Sequence, residues 1–168
     1  MSASAFGLAP RGRGAPSWTT SEWFNLPGGA LQPADLRGKV VVLHAFQMLC
    51  PACVVHGLPQ AKRVHAHFAA QDVAVVGLHT VFEHHAAMRP VSLEAFLHEY
   101  RIAFPVGVDA PSPERSDPVP VTMRAYGLQG TPSLVLIDRH GDMRLHAFGA
   151  VDDLAIGAAI AALVGEQG

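Results

Sequence analysis

The sequence predicts one α/β domain in which a mixed central sheet carries helices on both faces. Three observations lead there. Lys39–Phe46 and Asp72–His79 are near-continuous apolar runs rich in β-branched residues, the pattern of strands buried on both sides. Between them Val54, Val55, Leu58, Ala61, Val64 and Phe68 recur at helical spacing. Strand, helix and strand then form a βαβ unit with a right-handed crossover. Near the C-terminus, Ser133–Ile137 and Met143–Phe148 flank the turn Asp138-Arg139-His140-Gly141-Asp142 and read as an antiparallel hairpin.

The remaining elements follow in chain order. Residues 1–16, rich in Gly, Ala, Pro and Arg, are expected to be a disordered leader, with the domain spanning residues 17–165. Trp18 to Arg37 carries Trp18, Trp23 and Phe24 and then the turn Pro27-Gly28-Gly29, which predicts a short hairpin on the domain edge. Pro59 is expected to bend the first helix, because it removes a hydrogen bond and crowds the preceding turn. Ser92 to Tyr100 reads as a helix capped by Ser92, and Phe104 to Val108 as a short strand. The proline-rich stretch Asp109–Val119 is a loop. Thr122–Tyr126, ended by Gly127, makes one or two helical turns, and the Ala-rich segment Asp152–Leu163 is a closing amphipathic helix. No internal repeat is visible.

Bulk composition narrows the function. A chain of 168 residues fits one core, and 49% apolar with 15% charged residues is an ordinary globular balance. A formal charge of −2 offers no electrostatic reason to bind nucleic acid or an anionic membrane. No apolar run reaches the ~18 residues that span a bilayer. The N-terminal segment lacks the apolar stretch of a secretory signal, so a cytoplasmic address is expected.

Only two cysteines are present, Cys50 and Cys53, which is not the spread of a disulfide-stapled scaffold. A dithiol catalyst needs one exposed thiolate to attack and a second sulfur near enough to resolve the mixed disulfide. Placed at a helix start, Cys50 lies near unpaired amides and the positive end of the helix dipole, which favour thiolate over thiol. Cys53 falls one turn further in, more covered, and Pro51 suits the first turn, where its missing donor costs nothing. Attached haem would need His at position 54, where Val54 stands. A zinc site would need further ligands from residues such as His56 or His65, and an idle surface pair is the other plain alternative.

A buried strand, Cys50-Pro51-Ala52-Cys53, a proline-bent helix, a second strand and then Gly130-Thr131-Pro132-Ser133 ahead of a hairpin resemble thioredoxin-like proteins. The chain is most similar to TlpA/ResA-type thiol–disulfide oxidoreductases and related redoxins. The likeness runs from about Trp18 to Leu163 and includes the lead-in Leu36-Arg37-Gly38-Lys39-Val40-Val41-Val42. It implies a three-layer α/β/α fold with an N-terminal hairpin extension and an insertion between the βαβ unit and the C-terminal ββα unit. It implies further that Pro132 is cis opposite the cysteines, that Thr131 offers its backbone to an extended substrate, and that no cofactor is required. The implied partners are a disulfide-containing protein or a small-molecule thiol substrate, and an electron donor that the sequence does not identify.

This chain departs from that family at several places. Leu49 stands where Trp usually precedes the first cysteine. His44 stands where many thioredoxins place a buried carboxylate, and His56 where TlpA/ResA proteins often carry Glu. Those carboxylates accept the proton of the buried thiol, work that a histidine with an ordinary pKa near 6.5 is able to do. A buried, hydrogen-bonded neutral imidazole is the plain alternative for His44. The helical proline comes six residues after Cys53, where the family commonly has five. His65, His67, His79, His84 and His85 are expected to be solvated surface residues. The expected function is disulfide reduction by Cys50 and Cys53. A peroxiredoxin-like thiol peroxidase and a non-enzymatic metal-binding module are the alternatives, although Gln47 replaces the Thr or Ser that peroxiredoxins place three residues before their cysteine.

Overall fold

Side-chain alternation along the strands decides the architecture. In β2 (Val40–Phe46), Val40, Val42 and Phe46 join one apolar cluster, and Val41, Leu43 and Ala45 join another on the opposite face. The computed structural model describes residues 7–166. Its six-stranded sheet has the order β1-β4-β3-β2-β5-β6, built from β1 (Thr20–Phe24), β2, β3 (Val73–His79), β4 (Val106–Asp109), β5 (Ser133–Ile137) and β6 (Met143–Phe148). Strands β2, β3 and β4 run parallel, and β1, β5 and β6 are antiparallel to their neighbours. Helices α1 (Leu58–His67), α2 (Pro90–Glu99) and α4 (Asp153–Gly165) supply Leu58, Ala61, Leu93, Leu97, Ile156 and Ile160 to the first cluster. Helix α3 (Val121–Tyr126) supplies Met123 and Tyr126 to the second, so helices cover both faces as expected.

Three expectations are corrected. Trp18–Arg37 is not a hairpin: β1 is a lone strand paired with β4, and Pro33–Leu36 is a 3₁₀ turn. Pro33 cannot donate to a ladder. The return strand is replaced by one side chain, Gln32, whose amide accepts from the Trp18 N–H and donates to the Trp18 carbonyl, both at 2.8 Å. The supposed disordered leader is ordered from residue 7. Ala9 donates to the carbonyl of Arg144, Met143 to that of Arg13 and Ala15 to that of Gly141, which lays this arm along the start of β6. Residues 1–6 of that expectation lie outside the described residues. Lastly, α2 begins at Pro90 rather than at a Ser92 cap, because proline presets the first-turn φ.

The arm is held by charge. The Arg144 guanidinium reaches Asp138 at 3.0 Å and Glu166 at 2.6 Å, and Arg11 adds a second contact to Glu166 at 3.1 Å. On the other face, buried Asp109 accepts from the Thr80 hydroxyl and from the amides of Thr122 and Met123 at 2.8–2.9 Å, joining β4 to the first turn of α3. Asp109→Asn keeps the shape but turns one acceptor into a donor facing donors. It is expected to cost about 1–2 kcal/mol, read as a lower urea midpoint at an unchanged slope.

Candidate active site

Cys50 lies where β2 ends and the next helix begins. The helix starts at Pro51, passes through a π-helical turn, Cys53–Gly57, and continues as α1 with Pro59 in its first turn. The wider turn takes up one residue, which accounts for the sixth-residue spacing of Pro59. The Leu58 N–H reaches back to the Cys53 carbonyl, and the proline's missing donor falls where the ladder is already changing register. The helical segment therefore runs on through Pro59 without a break.

The two sulfurs differ in exposure and environment. Cys50 is half-buried, and Cys53 is fully buried. The Cys53 amide donates to Cys50 Sγ at 3.2 Å, a contact made at the helix start. Cys50 Sγ also lies 3.5 Å from the Thr131 carbonyl oxygen. Burial, with a smaller push from its hydrogen bond to Cys50, drives the Cys53 thiol up to about 12. One sulfur is thus presented to a partner and the other is kept protonated beneath it.

Thr131–Pro132 is a cis peptide, with Thr131 half-buried and Pro132 buried. The Thr131 carbonyl lies against Cys50 Sγ, and the Thr131 side chain also bears on Cys53. Leu49, where the family usually carries Trp, is 55% exposed, and so is Phe148, whose ring lies over Gly130. Leu49 next to Cys50 and Phe148 beside Gly130 are thus two exposed apolar side chains in the segments that carry Cys50 and Thr131.

His44 is buried, and neither ring nitrogen has a hydrogen-bond partner among the described residues. Burial lowers it to about 4, so it is neutral at physiological pH. The hydrogen-bonded imidazole is therefore not what is found. The ring stacks on Phe46 at 6.1 Å and fits against Gly57 and Pro132. His56 is exposed, on the π turn. Both histidines line one narrow cleft with Gly57, Gln60 and Pro132, and its free volume of about 10 Å³ is roughly what one water needs. Neither histidine is hydrogen-bonded to a sulfur. Among the described residues, no three His, Cys, Asp or Glu side chains are grouped as a metal site requires.

His79 was missed. It is buried, not a solvated surface residue, and its Nε2 accepts the Met48 N–H at 3.2 Å. Burial lowers it also to about 4. The available signal was its place at the end of an apolar strand run, which resembles that of His44. Gln47 turns its side chain to the Phe82 amide and to Glu83.

The fold and the dithiol site together define a thioredoxin-like protein of the thiol–disulfide oxidoreductase type. The chain belongs to the AhpC/TSA family, whose model matches residues 12–146. It is 58% identical to a thioredoxin-like superfamily protein of known crystal structure, with a TM-score of 0.89, 93% of this chain and 99% of that one being covered. A thiol-disulfide isomerase from Corynebacterium glutamicum is 47% identical with a TM-score of 0.84, over 91% of this chain and 98% of that one. The thiol-disulfide oxidoreductase ResA of Halalkalibacterium halodurans is 22% identical over 131 residues, which are 77% of this chain and 66% of that protein. That match spans a little under two thirds of the relative's length.

Proposed function

We propose that the protein is a disulfide reductase, carried by one observation: a half-buried Cys50 at a helix start directly above a fully buried, protonated Cys53. The Cys50 thiolate attacks one sulfur of a substrate disulfide, forming a mixed disulfide and releasing the other sulfur as a thiolate that takes up a proton. Cys53 loses its proton and attacks the Cys50 sulfur, closing Cys50–Cys53 and releasing the second substrate thiol. Two electrons pass to the substrate, and a dithiol donor returns them. Substrate main chain lies along Thr131 and Pro132.

His44, held to about 4 by burial, is too weak a base for the proton of a thiol driven up to about 12, which passes instead to the substrate thiolate released by the first attack. The His44 imidazole touches Gly57 of the turn that carries Cys53, is neutral, and has both nitrogens unpartnered. The reductase direction goes with a reducing, cytoplasmic setting.

The test is turnover of insulin disulfides with dithiothreitol as donor. Cys50→Ser is expected to abolish it, and Cys53→Ser to accumulate a mixed disulfide visible by mass spectrometry. Peroxide is expected to oxidise Cys50 no faster than free cysteine. Turnover surviving Cys50→Ser overturns the reading.

A further inference from the structure

We propose that His79 is a positioning residue for the nucleophile, setting the loop Gln47–Cys50 through the hydrogen bond that its Nε2 accepts from the Met48 N–H. The inference rests on Cys50 being the attacking sulfur.

The loop leaves the sheet at Phe46 and must deliver Cys50 to the helix start within three residues. It has little regular structure of its own: the Cys50 amide closes one turn on the Gln47 carbonyl at 3.1 Å. Three further holds come from the end of β3 and the chain just after it. Thr80 donates to the Phe46 carbonyl at 3.1 Å, Phe82 donates to Gln47 Oε1 at 3.1 Å, and His79 accepts from Met48. Parallel pairing puts His79 opposite Phe46, the last residue before the loop, and the two rings pack at 5.2 Å. The strand end thus places an acceptor beside the buried Met48 amide.

A leucine fills that space as well and satisfies nothing. A buried amide without an acceptor is costly, so the loop would turn to find another partner. The sulfur contacts leave little room for that movement, with Cys50 Sγ 3.2 Å from the Cys53 amide and 3.5 Å from the Thr131 carbonyl. A displacement of about 1 Å in a reacting group is enough to cost ~100-fold in rate. Glutamine, whose side-chain oxygen reaches about as far as Nε2, retains the acceptor.

The test compares alkylation of Cys50 by iodoacetamide at pH 7 and the Cys50–Cys53 midpoint potential in three proteins. His79→Leu is expected to slow alkylation at least fivefold and to move the potential, while His79→Gln stays within twofold of the parent. Unchanged values in His79→Leu, or equal changes in both variants, overturn the proposal, because then volume and not the acceptor matters. Should His79→Leu not fold, the parent protein decides alone. ¹⁵N spectra are expected to show His79 with its proton on Nδ1 and a bare Nε2, and a protonated Nε2 overturns the proposal. Alkylation found on Cys53 in place of Cys50 fails the reductase reading instead, and leaves the tautomer result standing.

Discussion

Taking the protein from pH 7 to pH 4 is expected to remove about 6 kcal/mol of folding stability, roughly 3 kcal/mol from each of His44 and His79. Both imidazoles are buried and are held down to about 4 by loss of hydration. In the unfolded chain each titrates near 6.5. Across the window between those values the unfolded chain binds more protons than the folded one, so stability is complete above about pH 6.5 and falls as the pH drops towards 4. A domain of this kind has ~5–15 kcal/mol in all, so the expected loss leaves it marginal. Carboxylates held low by hydrogen bonds and nearby guanidinium groups, such as Glu166 and Asp153, lose their share only at still lower pH. Urea midpoints at pH 7.5, 6, 5 and 4 check this. A midpoint unchanged between pH 7 and 5 refutes it, and His44→Leu is expected to remove about half the slope.

The second large effect is steric. Gly57→Ala is expected to cost about 2–3 kcal/mol and to lower Tm by about 5–10 °C. A methyl carbon at Gly57 would lie 2.7 Å from His44 Nε2 and 3.1 Å from Pro132 Cβ, and closer still to His44 Cε1. The imidazole has little freedom to retreat, since Phe46 stacks against it. Backbone strain plays no part, because Gly57 has ordinary helical dihedrals. Gly157→Ala, in α4 with open space around it, is the control and is expected to stabilise by about 0.5–1 kcal/mol. Thermal unfolding of both variants, and of Gly57→Ala combined with His44→Ala, separates the two causes. The clash requires that the Gly57→Ala cost largely vanish when His44 is already truncated.

Much of this was legible in the sequence because it is local or periodic. The buried strands β2, β3 and β5 were visible as apolar runs, α1 as a helical stripe, and the dithiol as a spacing. The residues Cys50, Cys53, Thr131 and Pro132 do come together at one end of the sheet, with Cys50 Sγ beside the Thr131 carbonyl. What escaped depends on partners far along the chain. Gln32 standing in for a strand, the arm pairing with β6, and His79 accepting from Met48 across 31 residues leave no periodic trace. The π turn was present only as a proline one residue late. His44 was singled out correctly as buried, but its lack of any hydrogen-bond partner was beyond sequence reasoning, because it depends on the shape of the cleft.

The Arg144–Asp138–Glu166 network sits at the end of β5 and the start of β6, whereas the cysteines sit beyond Ser133 at the opposite end of β5. The first described stretch and the C-terminal end of α4 are therefore riveted at the same pole, with the length of a strand separating them from the reactive sulfur. A label, a resin or a surface attached at either of those stretches would leave the Cys50 face turned outward. A pulling force applied between them would load the guanidinium clasp before it loaded the sheet.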